Sequence, residues 1–303
     1  MQLIPEQFTR RMVQMYDAEG RTWLDRLPVL IAEYEHRWSI TVMSPFANLS
    51  YNYVAPAVRS DGTNVILKLG MPHPELRTEI AALRIYDGRG SARLLDADPE
   101  QGALLLERLM PGTLLSSLDD DEEATAIAAK VMRQLWHPVP TNHTFPTITQ
   151  WTAGLGELRT HFGGTTGPFP SALVAQAETL FAELSASMAE PVVLHGDLHH
   201  DNILAAERQP WLAIDPKGLI GEPAYEVGVL LRNPYPQLLT WPQPARILAR
   251  RVDQLAEALV LDRKRILGWS IAQAVLSAWW SFEDNDNDDW KYWVTCAELL
   301  AAT

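Results

Sequence analysis

The 303-residue sequence holds a single cysteine, Cys296, so no internal disulfide is available and nothing points to an oxidising compartment. It has no apolar run near the roughly 20 residues a membrane-spanning helix requires. The opening, MQLIPEQFTRRMVQMYDAEG, is charged every few residues and lacks the apolar stretch of a signal peptide. A soluble, cytoplasmic chain without a membrane partner is therefore expected. A surplus of basic residues is missing too: the formal net charge is −13, with −2 over residues 1–110 and −11 over 111–303. No basic face is offered to a nucleic acid. The acidic second half suits either simple solubility or attraction of a cationic ligand.

What is present is material for cores. Hydrophobic residues make up 47% of the chain, and its length suits two lobes sharing a groove. The first part reads as β-rich after one helix-like opening. WSITVMS (38–44), YNYVAPAV (51–58) and NVILKL (64–69) carry strand residues, and Asp61-Gly62 between the last two is a hairpin signal. HPELRTEIAALRIYDGRG then takes helical spacing, with Leu76, Ile80 and Leu83 on one face and Gly88 as its stop. ARLLDAD (92–98) and ALLLERL (103–109) are further strands, and Pro111-Gly112 breaks the chain. Beyond it the pattern is helical: DDDEEATAIAAKVMRQLWH, then 171–190 with a Ser171 cap, then about 224–232, 244–261, 263–283 and 289–301. Strand-like VVLH (192–195), NILAA and WLAID (211–215) interrupt that run.

Between those strands stands LHGDLHHDNIL (194–204), which concentrates three histidines, two aspartates and an asparagine. HGDLHHDN resembles the catalytic loop of the aminoglycoside and small-molecule kinases, which carry H-G-D-x-x-x-x-N on a protein-kinase fold. WLAIDPKGLIGEPAYEVGVLLRNP (211–234) resembles the streptomycin 6-kinase and hydroxyurea phosphotransferase group of that superfamily. The resemblance implies an α+β, two-lobed protein-kinase-like fold. Its small lobe, residues 1–110, has five antiparallel strands and one main helix, and its larger lobe, 111–303, is mostly helical. It implies ATP and Mg2+ as cofactors.

Phosphoryl transfer needs an oriented hydroxyl and a neutralised triphosphate more than covalent help. Asp197 would take or orient the hydroxyl proton. Asn202, five residues on, and Asp215, on the next strand, would hold magnesium through oxygen ligands. A zinc site on His195, His199 and His200 is the rival reading. It is disfavoured because adjacent histidines point apart and no cysteine pair exists; His195 instead braces the turn, as the resembling families imply.

In the kinase arrangement Lys68 contacts the α- and β-phosphates and Glu79 holds it, with Glu75 as the rival partner. The phosphate-covering stretch SPFANLSYNY (44–53) contains no glycine, unlike G-x-G-x-x-G, but resembles the corresponding turn of the streptomycin-kinase group; Asn48 and Ser50 would donate to phosphates. LLLERLMPG (104–112) fits a hinge where an adenine meets the backbone of Arg108, Leu109 and Met110, or an ordinary strand before a turn. Glu222 is expected to cap the helix near Ala224.

Seven residues, 216–222, separate Asp215 from Pro223, too few for the peptide-docking segment of a protein kinase. A small acceptor is expected. AWWSFEDNDNDDW (278–290) pairs three tryptophans with five acids, which suits a cationic group on Trp279, Trp280, Glu283 and Asp284; core tryptophans beside an exposed acidic turn are the plainer alternative. The expected activity is transfer of the γ-phosphate of ATP to a hydroxyl of a streptomycin-like aminoglycoside. A metabolic kinase acting on choline, homoserine or a sugar, and a non-catalytic nucleotide-binding module, are the alternatives.

Overall fold

Residues 4–284 and 288–303 are described by the computed structural model. Helix α1 (Glu6–Trp38) runs farther than the sequence pattern suggests. Trp23, Leu27, Leu30, Tyr34 and Trp38 recur at helical spacing and are buried, so Trp38 belongs to the helix and the strand expected at 38–44 shrinks to β1 (Ile40–Val42). That stripe packs on Tyr53, Ala55, Ala57, Leu67 and Leu69 of β2 (Tyr53–Arg59) and β3 (Asn64–Leu69), forming one core. The Asp61-Gly62 turn joins β2 to β3, with the Asp61 carboxylate accepting from Thr63 N–H at 2.9 Å.

Helix α2 (Pro74–Tyr86) lays Leu76, Ile80 and Leu83 on Leu104 and Leu106. It stops one residue before Gly88, at Asp87 in the left-handed region. With β4 (Leu94–Asp98) and β5 (Ala103–Glu107), the sheet is antiparallel in the order β1-β2-β3-β5-β4.

The chain divides into two units, Met1–Gly112 and Thr113–Thr303. Strand β6 (Pro111–Leu114) spans the division. Helix α3 (Asp121–Leu135) starts where Asp120 accepts from the N–H groups of Glu122 and Glu123, which is why its acidic first turn is favourable. Strand β7 (His137–Pro138) and helices α4 (Ile148–Thr152), α5 (Gly154–His161) and α6 (Ser171–Ala186) follow. Pro170, not Ser171, occupies the N-cap of α6, and no side chain caps it.

Four short strands then frame the polar turn: β8 (Val192–Leu194), β9 (Ile203–Ala206), β10 (Trp211–Ala213) and β11 (Leu219–Gly221). They lie in two three-stranded sheets, β10-β9-β6 and β11-β8-β7. Helices α7 (Pro223–Leu231), α8 (Pro244–Leu259), α9 (Arg263–Glu283) and α10 (Trp290–Ala301) complete the chain. Helix α9 is the axis of this unit: α6, α7 and α10 pack around it, and Trp269 and Trp279 are fully buried. The fold is the α+β, protein-kinase-like layout expected, and no helix among the described residues is long and apolar enough to cross a membrane.

Candidate active site

Within the first unit, β3 and α2 bring Lys68 and Glu79 together. Lys68 Nζ donates to Glu79 Oε1 at 2.6 Å, and both residues are buried. Glu79, eleven residues on, is the preferred partner of the sequence reading. In the glycine-free stretch, Leu49 is buried while Asn48 and Ser50 are exposed. The loop is tied down by its backbone: Phe46 N–H donates to Val54 O, and Arg11 donates to Leu49 O. Past β5, Arg108 is half-buried, Leu109 buried and Met110 exposed.

The second unit contains the polar turn, and its geometry explains its composition. Gly196 takes φ +83, a conformation that L side chains rarely adopt. The turn's N–H groups converge on one buried carboxyl: Glu226 of α7 accepts from His195 N at 2.6 Å and from Gly196 N at 2.9 Å. His195 is fully buried, its Nε2 is 2.8 Å from Ile214 O, and its Nδ1 accepts from Asp197 N at 3.2 Å. A carbonyl accepts only, so Nε2 carries the proton and Nδ1 the lone pair. Burial pushes this imidazole down to about 4 against the pull of Asp197, keeping it neutral.

Asn202 Nδ2 donates to Asp197 O at 2.9 Å, which closes the five-residue loop on itself. Ile214 N then bonds Asn202 O at 2.9 Å, and Lys217 N and Gly218 N bond His195 O. Asp215, between those contacts, sits at φ 57, a left-handed conformation that aspartate tolerates better than most residues. The chain therefore carries Asp197, Asn202 and Asp215 on two segments stitched through His195, whose imidazole feels both carboxylates.

The histidines do not converge as a metal cluster. His199 Nδ1 accepts from Asp201 N, while both ring nitrogens of buried His200 have no hydrogen-bond partner among the described residues. No group of three or more His, Cys, Asp or Glu placed to hold a metal occurs among the described residues. The expected capping role of Glu222 is also corrected. It occupies the N-cap position of α7, but its carboxylate makes no cap bond and instead accepts from Ala189 N, Arg265 and Trp269 Nε1. Four donors arriving from neighbouring segments outweigh one local cap.

Trp280 and Asp284 line a cavity of about 200 Å³ with Tyr235, Ser277, Asp289 and Trp293. Trp279 does not reach it: the ring is 0% exposed, packed among Phe162, Phe282 and His161. Glu283 is exposed and is not part of the lining. Of the segment 278–290, residues 285–287 lie outside the described residues. Sequence reasoning missed Glu226, although a lone acid inside the apolar run AYEVGVLL was a signal, because such an acid must find donors. It also missed Tyr235 and Trp293, and it did not name Asp289 although that residue lies in the segment 278–290 it singled out.

The family model of the aminoglycoside/hydroxyurea antibiotic resistance kinases matches residues 37–285. The chain belongs to this family. It is 36% identical over 293 residues to the streptomycin 6-kinase of Streptomyces griseus, covering 93% of this chain and 92% of the relative. To the hydroxyurea phosphotransferase of Kitasatospora aureofaciens it is 35% identical over 309 residues, covering 98% and 85%. Among solved structures, an aminoglycoside phosphotransferase of Streptomyces rimosus, in complex with ADP and streptomycin, superposes with a TM-score of 0.55 at 16% identity, covering 82% of this chain and 97% of that one. The family match extends from the end of α1 through α9, so it takes in the Lys68–Glu79 pair and the clamped turn.

Proposed function

We propose that this family member transfers the γ-phosphoryl group of ATP to a hydroxyl of a streptomycin-like aminoglycoside, acting in the cytoplasm. Residues 1–110 form the nucleotide lobe, and 111–303 carry the catalytic loop and the acceptor site. The observation that carries the reading is the turn at 195–202, where the N–H groups of His195, Gly196 and Asp197 and the Asn202 amide fix the backbone around Asp197 while its carboxylate stays accessible, with 39% of the side chain exposed.

Asp197 accepts the hydroxyl proton as the acceptor oxygen bonds the γ-phosphorus, and the bond from that phosphorus to the β,γ-bridging oxygen breaks to release ADP. Rigid placement is the main contribution such a site makes, since the transfer requires alignment more than covalent help. Lys68, held by Glu79, takes the α- and β-phosphates. Asn48 and Ser50 donate to the phosphates from the 44–53 loop, and the Arg108–Met110 backbone receives the adenine.

Magnesium fits the donor set. Asn202 spends its amide N–H on the Asp197 carbonyl, which leaves Oδ1 as its ligand atom, and Asp215 adds a carboxylate oxygen, the hard donors this ion prefers. When bound it neutralises phosphate charge. The cavity at Trp280 and Asp284 receives the acceptor, its aromatic rings and two aspartates suiting ammonium or guanidinium groups.

The test is ADP release across streptomycin, hydroxyurea, choline, homoserine and sugars, with and without magnesium. Streptomycin should give the highest kcat/KM, and an Asp197→Asn variant should bind ATP and lose turnover. Preference for choline or a sugar would move the protein to a metabolic role, and nucleotide binding without turnover of any acceptor would make it a silent module.

A further inference from the structure

Behind the acceptor cavity lies a charge that no carboxylate among the described residues neutralises at close range. Arg232 caps the C-terminus of α7 and is 7% exposed. Its Nη1 donates to Gln273 Oε1 at 2.6 Å and its Nη2 to Ser277 Oγ at 3.1 Å, both neutral acceptors. Its guanidinium carbon lies 5.8 Å from the centre of the Trp293 ring. No ion pair to Arg232 forms among the described residues. Burial lowers its pKa while Tyr225 and Asp197 act against that, and a guanidinium keeps its proton regardless.

The seat is built for this residue. Gly228 on α7 faces Gln273 so closely that a Cβ there would stand 2.2 Å from Gln273 Oε1, the atom that receives Arg232. Tyr292 Oη donates to Arg232 O at 2.9 Å, fixing the backbone as well. A buried guanidinium held by neutral dipoles is costly to keep, so its charge calls for a use.

Position suggests the use. Ser277 and Trp293, two of the groups that touch Arg232, both line the cavity, so the positive charge stands behind that wall. Asp284 is exposed and Asp289 half-buried on the same lining, so negative charge lies toward solvent. Asp197 is among the groups whose charge acts on Arg232.

We infer that Arg232 is a specificity-determining residue of the acceptor cavity: its buried positive charge excludes cationic groups from the inner end, so that a cationic acceptor enters with its charge at Asp284 and Asp289 and its hydroxyl foremost. This rests on the assignment of the cavity as the acceptor site. Arg232 touches neither substrate nor the reacting atoms; it acts by making the reversed binding mode unfavourable.

Reversed binding has a kinetic signature that structural damage lacks. An acceptor bound backwards occupies the site without reacting, so kcat and KM fall by the same factor and kcat/KM stays constant. With streptomycin as acceptor, Arg232→Met should lower both constants roughly tenfold, equivalent to about 1.4 kcal/mol of lost discrimination between the two binding modes, with kcat/KM within twofold of the wild type. Arg232→Lys, which keeps the charge and loses the planar fork, should behave as the wild type. Ser277→Asp, which neutralises Arg232 from the cavity side without removing it, should reproduce the parallel fall and covers the case of an Arg232→Met protein that does not fold. A fall in kcat/KM together with kcat in either charge-removing variant, or an Arg232→Lys enzyme as impaired as Arg232→Met, overturns the inference. Trp280→Ala tests the underlying assignment separately: an unchanged KM for streptomycin there removes the cavity as the acceptor site, whatever Arg232 does.

Discussion

Replacing His200 with leucine should stabilise the protein in mild acid, and the size of the effect follows from where this ring sits. His200 is 2% exposed in the middle of the 195–202 turn, with neither ring nitrogen bonded among the described residues. Burial first, then the nearby Arg251, push its pKa from 6.5 down to about 3, and Asp121 only partly opposes them. The folded pKa is lower than the unfolded one, so this neutral ring contributes stability above about pH 6.5 that is lost as pH falls toward 3. At about 1.4 kcal/mol per pH unit, the loss between pH 7 and pH 5 is roughly 2 kcal/mol for this residue. His195, pushed to about 4, adds a similar loss over the same interval. Glu226 works the other way. Burial lifts it from 4.5 to about 7, so its contribution is full in acid and fades as pH rises through 7, returning roughly 2 kcal/mol between pH 7 and pH 5. The wild type should therefore lose only about 2 kcal/mol from pH 7 to pH 5, and His200→Leu should lose close to nothing. Urea titrations at both pH values measure this. A His200→Leu protein that weakens as much as the wild type between them would refute the reasoning.

Glu226→Gln removes the opposing contribution and sets an amide NH2 against a backbone N–H; the loss from pH 7 to pH 5 should double, and kcat should drop roughly a hundredfold with the KM for ATP unchanged, as expected when a reacting group shifts by about 1 Å. Glu79→Gln removes the carboxylate that pairs with the buried Lys68 ammonium; breaking such a pair costs roughly 3–5 kcal/mol, and the KM for ATP should rise while that for the acceptor holds. Asp121→Ala removes the carboxylate that pairs with Arg251, which is 0% exposed and among the described residues otherwise bonds only the carbonyls of Leu230, Leu231 and Asn233 at and just beyond the end of α7; denaturant unfolding should show a comparable loss, largely recovered in an Asp121→Leu/Arg251→Met double variant.

The sequence carried what is periodic or local. Alternation and helical spacing placed β2, β3, β5 and all four last helices within a few residues, because each buries one face against a continuous core. The Lys68–Glu79 pair was legible since a strand end and the next helix set its distance almost alone. What failed depended on partners from elsewhere in the chain. Glu222 looked like a cap because the helix begins beside it, yet Arg265 and Trp269, more than forty residues on, hold its carboxylate. Trp279 and Trp280 are adjacent, but on a helix they face about 100° apart, so one enters the aromatic core and the other lines the cavity. Strands β6, β7 and β11 are two to four residues long, too short for alternation to register.

The polar crowding at 194–204 is resolved by a division of labour. Most of its polar atoms are bonded to backbone: His195 to Ile214 and Asp197, His199 to Asp201, Asn202 to Asp197. Asp197 keeps an accessible carboxylate, as does Asp215 on the next segment; Asp201 is exposed as well but is engaged by Ser116 Oγ. The clamp beneath them raises a difficulty, since a full negative charge on Glu226 would oppose ionisation of Asp197. Burial and the field of Asp197 lift the Glu226 carboxyl to about 7, so near neutrality it is charged only part of the time. Either protonation state retains oxygens to receive the His195 and Gly196 N–H groups. The loop is thus held by a carboxyl whose charge yields to that of Asp197, the proposed base. A Glu226→Asp variant, whose shorter side chain cannot reach both N–H groups at once, should therefore lose turnover even though its charge is the same.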